Sequence, residues 1–413
     1  MTTGAMPFRP FRRYELAACL ALLLVASGCA RRGGSHSLTS ATPSAERAPL
    51  SASRAPVVPP AVVAGQKVYE RYCQLCHAKD GTGYAADNAP SLVSQSFLES
   101  ASDQFIADGI RMGRPNTAMA AYGRERGGPL TEPEIAELVA FLRTKGPKYA
   151  PLPEVAVTGD PARGAQSFEK NCQSCHGTAT ARGNALHLHN PQLLAAASPA
   201  FLRYAILQGR APTPMPAFRD KLGKPEVEDL VAWLVSMKPT EPTAPVRNTQ
   251  VPDNLPIVIN PKGQQAKFTL RDQRFVAADD VKKELDKKRR LVLVDARPPS
   301  DWIQFRIPGA VSLPYHDKSQ LERIPNDGTW VIAYCACPHH ASGEVVDALR
   351  KLGYPNTAVL DEGILVWRDR GYPLEGEAAT KGPKPFASSS ASGKSPSAPA
   401  PVRKSAPATK ASP

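Results

Sequence analysis

Cys73, Cys76 and His77 stand in the order Cys-x-x-Cys-His, and the same order returns at Cys172, Cys175 and His176. Two thiols at that spacing can add to the two vinyl groups of one porphyrin, and a histidine beside the second thiol then lies beneath the iron as an axial ligand. A thioredoxin-like Cys-x-x-Cys is the rival reading; it needs no adjoining histidine and usually follows a strand of a βαβ unit. The expectation is two covalently held haem c groups, with Cys73, Cys76, Cys172 and Cys175 as attachment points and His77 and His176 on the irons.

These motifs belong to a longer repeat. At an offset of 99, Gly65, Tyr69, Glu70 and Gln74 map onto Gly164, Phe168, Glu169 and Gln173 together with the cysteines and histidines. At an offset of 96, Gly113, Arg114, Thr117 and Met119 map onto Gly209, Arg210, Thr213 and Met215, and at 92 PEIAELVAFL from Pro133 maps onto PEVEDLVAWL from Pro225. The shrinking offset means shorter loops in the second copy of a duplicated domain. Each copy closes with an amphipathic helix, because Ile135, Leu138, Val139 and Leu142, like Val227, Leu230, Val231 and Leu234, form one apolar stripe. Thr131 and Glu134 make a capping box at the start of the first of these helices, with Pro133 in its first turn.

On these residues the chain resembles the class I cytochromes c over residues 61–147 and 159–239. The resemblance implies a methionine sixth ligand in the loop before the last helix, at Met119 in GRPNTAMAAYG and Met215 in GRAPTPMPAF. Met112 is the rival in the first domain; Met119 is preferred because it has a counterpart in the repeat. The resemblance also implies a proline carbonyl that orients the proximal histidine, expected at Pro90 and Pro191. His187 and His189 are alternative ligands in the second domain. His/Met ligation leaves no open position on the iron, which points to electron transfer.

The N-terminus sets the compartment. Arg9, Arg12 and Arg13 precede the apolar run LAACLALLLVA, too short for a stable bilayer anchor, so residues 1–28 read as a signal peptide. Ala26-Ser27-Gly28-Cys29 resembles a bacterial lipoprotein box and makes Cys29 the expected lipidation site; plain signal cleavage is the alternative. Ala30 after that cysteine favours, by analogy, the outer membrane. The pair Arg12-Arg13 resembles a twin-arginine signal, against which stands the attachment of haem to an unfolded chain outside the cytoplasm. Of eight cysteines, Cys19 leaves with the signal, Cys29 takes lipid and four hold haem, so Cys335 and Cys337 alone remain. Residues 29–60 and 377–413, rich in Ala, Ser and Pro, read as a flexible tether and a disordered tail. The formal charge of +13 falls to +11 without residues 1–28, which hold three Arg and one Glu. That surplus suits acidic partners or anionic surfaces; an exported chain without a nucleic-acid fold argues against nucleic acid. The run KKELDKKRR from Lys282 reads as a solvated helix face.

Beyond a linker at 240–267, the grammar changes. LVLVDAR from Leu291 and TWVIAYC from Thr329 are apolar strand runs alternating with helical stretches such as SGEVVDALRKLG, which suggests an α/β domain with a parallel sheet. Across residues 268–376 the motifs VDARPPSDW, RIPGAVSLP, WVIAYC, LRKLGYPNTAVLDEGILVW and GYPLEG resemble the rhodanese family. The resemblance implies that Cys335 carries sulfane sulfur as a persulfide, stabilised by loop amides and a helix starting near Ser342. It also implies that Asp295 and Arg297 order a loop. The loop departs from the family pattern: Pro338 has no N–H to donate, and His340 stands where an arginine is usual. Three readings stay open for this domain. Cys335 handles sulfur with Cys337 as resolving thiol; Cys335, Cys337, His339 and His340 bind a thiophilic metal; or the domain is a docking module.

The expected architecture is therefore multidomain, two mainly α cytochrome c domains followed by an α/β rhodanese-like domain. The expected role is electron transfer on the periplasmic side of a bacterial envelope, lipid-anchored, between redox partner proteins. The alternative role is sulfurtransferase or sulfur-oxidising enzyme, with the haems accepting electrons from a sulfane-sulfur donor.

Overall fold

The computed structural model describes residues 58–241, 246–336 and 339–379. The expected signal segment, Cys29, Cys337 and nearly all of the expected tail lie outside the described residues. Among the described residues no helix is long and apolar enough to cross a membrane.

Each haem-motif repeat folds into five helices in the same order. The first copy has α1 (Pro60–Tyr72), α2 (Gln74–His77), α3 (Gln95–Ser100), α4 (Asp103–Met112) and α5 (Glu132–Arg143); the second has α6 (Pro161–Asn171), α7 (Gln173–His176), α8 (Pro191–Ala196), α9 (Pro199–Gln208) and α10 (Lys224–Ser236). Start signals are local and repeated: Ser102 and Ser198 accept from the N–H groups of Phe105 and Phe201, and the Thr131–Glu134 capping box forms as expected. The closing helices bury the apolar stripes read from their periodicity.

The first and last helices of each copy cross in direct backbone contact. A Cβ on Gly65 would stand 1.9 Å from the carbonyl oxygen of Glu137, and one on Gly164 would stand 2.0 Å from that of Asp229. Only glycine allows that crossing. Above it an aromatic pair recurs, Tyr69 with Phe141 at 5.5 Å and Phe168 with Trp233 at 4.3 Å between ring centroids.

The two copies meet through equivalent parts. α3 packs on α9 and α4 on α8, which are reciprocal contacts under the repeat. Phe105 and Phe201, equivalent at the offset of 96, face each other at 4.5 Å. Equivalent residues in mutual contact mark an approximate two-fold relation. Ser96 Oγ donates to Gly209 O at 2.7 Å, Asn190 Nδ2 donates to Pro115 O at 2.9 Å, and Arg182 pairs with Asp87 at 2.9 Å across the same boundary.

The third region is a parallel sheet. Its elements are β1 (Phe275–Val276), α11 (Ala278–Asp286), β2 (Val292–Asp295), α12 (Pro299–Gln304), β3 (Val311–Ser312), β4 (Val331–Tyr334), α13 (His340–Lys351), β5 (Thr357–Leu360) and α14 (Gly363–Asp369), with strand order β1-β5-β4-β2-β3. Every pairing is parallel, so all carboxyl ends lie on one edge. Val292, Val294, Val331 and Ala333 face one apolar layer while Leu293, Ile332 and Tyr334 face the other, which explains their unbroken apolar runs. The basic run from Lys282 is only partly solvated: Lys283, Asp286, Lys287 and Lys288 are exposed, while Glu284 is buried and accepts from Lys267 N at 3.0 Å. Part of the segment read as linker belongs to this packing: Ile259 N donates to Leu291 O at 2.8 Å, and Ala266 is buried. Glu377, read as the start of the tail, accepts from Asn248 N at 2.7 Å.

Candidate haem centres and sulfur site

α2 and α7 are single turns that follow directly from α1 and α6, so the two cysteines of each motif and the histidine share one short helical stretch. His77 Nδ1 lies 2.9 Å from Pro90 O, and His176 Nδ1 lies 2.7 Å from Leu186 O. A carbonyl can only accept, so Nδ1 carries the proton in each ring and Nε2 keeps its lone pair. Burial pushes both imidazoles down in pKa, against the opposing carbonyl bond. A neutral ring with a fixed tautomer is the form that binds a metal.

The expected orienting residue Pro90 is thus found in place in the first copy, but Pro191 is not in the second. Pro191 is the first residue of α8, behind the cap Asn190, and Leu186 supplies the carbonyl. The repeat held the signal: at the offset of 96 Pro90 maps onto Leu186. A backbone carbonyl needs no proline.

Both methionine loops have one geometry. Gly113 and Gly209 turn the chain out of α4 and α9 with φ of 62° and 65°, where a Cβ would meet backbone at 2.4 and 2.5 Å. Arg114 N then donates to Met119 O at 2.7 Å and Thr117 Oγ1 accepts from Met119 N at 3.1 Å; Arg210 N donates to Met215 O at 3.0 Å and Thr213 Oγ1 accepts from Met215 N at 3.3 Å. Met112, at the end of α4, lies outside this loop, yet it lines with Met119 a cavity of about 420 Å³. His187 Nε2 is held by Thr178 O at 2.8 Å, and His189 packs edge-on against Phe168 and Trp233. His187, one of the two alternative ligands, is buried.

The residues present fit a haem bearing two carboxylates. Arg114 and Arg210 are equivalent, and burial pushes both guanidinium groups down to about 10. Arg210 Nη2 is buried with no hydrogen-bond partner among the described residues, a costly state that an anionic group would relieve. Burial also pushes the Cys73 and Cys172 thiols up to about 12 and about 11. Such thiols are poor nucleophiles once the chain is folded, consistent with attachment before folding.

Cys335 stands where β4 ends, as expected, and is 1 % exposed. Its Sγ is 3.2 Å from Ser342 Oγ, and its carbonyl accepts from Ile364 N at 3.0 Å. The helix α13 begins at His340, two residues before the expected start. Asp295 and Arg297 form a buried bidentate pair at 2.9 and 2.6 Å, and Arg297 also donates to Phe305 O at 2.6 Å, which ties the loop after β2. His339 Nε2 is 2.7 Å from Asp361 Oδ1 and its ring lies 4.2 Å from that of Phe275. Among the described residues no group of three or more His, Cys, Asp or Glu side chains is placed to hold a metal ion, and Cys337 lies outside them.

The fold and these sites define a class, tandem cytochrome c domains joined to a rhodanese-like domain, and comparison with known proteins agrees. Residues 60–142 and 159–234 match the family described as cytochrome c oxidase, cbb3-type, subunit III, and residues 277–370 match the rhodanese-like domain. The chain is similar to the cbb3-type cytochrome c oxidase subunit FixP of Bradyrhizobium sp., 31% identical over 42% of this chain and 60% of that protein. It is likewise similar to FixP of Sinorhizobium medicae, 28% identical over 43% of this chain and 61% of that protein. The C-terminal region is similar to the probable adenylyltransferase/sulfurtransferase MoeZ of Mycobacterium tuberculosis, 33% identical over 22% of this chain and 23% of that protein. The chain spans less than two thirds of each of these relatives. It carries two c-type cytochrome domains of the cbb3 subunit III kind followed by a rhodanese-like domain.

Proposed function

We propose that this protein is an electron carrier of the bacterial envelope that holds two haem c groups and handles sulfane sulfur on Cys335. His77 with Met119 and His176 with Met215 would hold the two irons, and Cys73, Cys76, Cys172 and Cys175 would hold the porphyrins through thioether bonds. Each bound haem supplies a one-electron iron couple whose potential the protein sets through axial ligand and burial. The observation that carries this reading is the repeated orientation of His77 and His176, each proximal imidazole fixed through Nδ1 by a backbone carbonyl. Cys335 as persulfide carrier, with Cys337 as the thiol that resolves it, rests on the strand-end position and the similarity to a probable sulfurtransferase. Lipidation at Cys29, a periplasmic location at the outer membrane and redox partners in the envelope rest on the sequence of residues 1–30.

Absorption spectroscopy of the oxidised protein tests the ligands. Met119→Ala and Met215→Ala should each remove about half of the long-wavelength band that a thioether–iron bond produces. Met112→Ala should leave it intact. Loss of the band in Met112→Ala, with retention in Met119→Ala, would overturn the first-domain assignment. Mass spectrometry after treatment with a sulfane-sulfur donor tests the thiol: the added sulfur should vanish in Cys335→Ser and survive in Cys337→Ser.

A further inference from the structure

The two attachment motifs are identical in their reactive residues but not in their surroundings. In the first copy Leu75, between the cysteines, packs together with Ala118, next to Met119, against the apolar cluster that contains Cys335. In the second copy the matching Ser174 is exposed, as is Cys175. Tyr72 just before the first motif is half-buried; its carbonyl accepts from Tyr315 Oη at 2.7 Å, and its ring meets that of His316 at 4.7 Å. Its counterpart at the offset of 99 is Asn171. At Tyr72 and Leu75 the first copy is apolar and covered, while the second has polar Asn171 and Ser174.

What covers the first face is the carboxyl edge of the parallel sheet. Ser300, at the start of α12 after β2, donates to Ala121 O at 2.6 Å, and Tyr315 and His316 follow β3. Cys335 follows β4 on the same edge. Arg368 of α14 adds a bond to Asn116 Oδ1 at 2.8 Å, in the methionine loop itself. Open α/β sheets present their reactive groups beyond the carboxyl ends of the strands. The hydrogen bonds and ring contacts described for the second cytochrome domain outside itself reach the first domain instead, at Ser96, Asp87, Pro115, Glu99 and Phe105.

We infer that the rhodanese-like domain is the resident partner of the first haem centre alone, seated by Tyr72, Leu75 and Ala118 so that the Cys335 edge of its sheet lies against the first attachment motif. The order of centres is then sulfur site, first haem, second haem, with the exposed second motif left for partners outside the chain. This rests on the reading that each Cys-x-x-Cys-His carries a haem.

The second copy supplies the substitutions for the test. Tyr72→Asn with Leu75→Ser puts the residues of the second motif into the first and leaves its cysteines and histidine untouched. In the full holoprotein the double variant should keep two haems by mass. The midpoint potential of one haem should fall, because water reaching a buried centre favours its more highly charged oxidised state; the other should not move. Cys335 should also react faster with iodoacetamide. Tyr315→Ala, which leaves the cytochrome domains unaltered, should give the same shift in the same haem. Two haems with both potentials and Cys335 reactivity unchanged in the two variants would overturn the inference, and so would equal shifts in both haems. A missing haem in the unaltered protein would instead refute the reading beneath it.

Discussion

His316 makes the boundary between the first cytochrome domain and the sheet sensitive to acid. Its two ring nitrogens are buried with no hydrogen-bond partner among the described residues, between the rings of Tyr72 and Tyr315. Burial, reinforced by the Arg71 cation and opposed by Asp317, pushes its pKa from 6.5 down to about 4. Once the boundary opens, the ring regains its ordinary value. Between about pH 6.5 and 4 the opened form therefore binds more protons than the closed form, and stability rises with pH in that window. The stabilisation is fully present above 6.5 and is lost as pH falls through the folded value; at about 1.4 kcal/mol per pH unit the loss is about 3 kcal/mol. His316→Phe keeps a ring between the two tyrosines and removes the titration. Urea unfolding followed by tryptophan fluorescence reports on this domain, since Trp302, Trp330 and Trp367 lie in it and only Trp233 lies elsewhere. Across pH 7 to 4 the variant should lose about 3 kcal/mol less than the wild type. Because each unsatisfied buried polar group costs about 1–3 kcal/mol, it should also be no less stable at pH 7. Parallel pH profiles for the two proteins would refute the reasoning.

Gly65→Ala and Gly164→Ala place a methyl inside the van der Waals radius of a carbonyl oxygen, and each should cost about 3 kcal/mol or more in urea titrations of its own cytochrome domain; a loss under 1 kcal/mol would show that the helices can part. Tyr69→Phe removes the hydroxyl that donates to Ala78 O at 2.6 Å, and thermal unfolding should show a loss of about 1 kcal/mol, in the first domain only, since the second already has Phe168 there. Arg297→Lys keeps the charge but not the fork that holds buried Asp295, and should destabilise the rhodanese-like domain by about 3 kcal/mol in the same fluorescence assay.

Much of this molecule can be read from its residue order, because the strongest signals are local. Periodicity located the closing helices, the capping box fixed the start of α5, and apolar runs located β2 and β4. The error over Pro191 has a physical cause. An orienting hydrogen bond is made by a backbone carbonyl, which every residue has, so a proline side chain has no part in the bond and does not mark its place. The Ser300–Ala121 bond joins residues far apart in the chain, and no short-range pattern announces it.

The difference between the two motifs was legible in another sense, as a departure from the repeat rather than an instance of it. Identity across the copies marks what the proposed haem sites share: the thiols, the imidazole, the turn glycine and the threonine that braces the methionine. Tyr72 against Asn171 and Leu75 against Ser174 cannot serve that shared purpose, since each copy keeps its motif with either residue. An apolar pair at a surface motif is stable only when something covers it, because exposed apolar area is returned to water at about 25 cal/mol per Å². The covering is the sheet edge that carries Cys335, so the two non-repeated side chains tell the copies apart. Duplication made two equivalent electron carriers, and these two positions give the first of them a fixed neighbour.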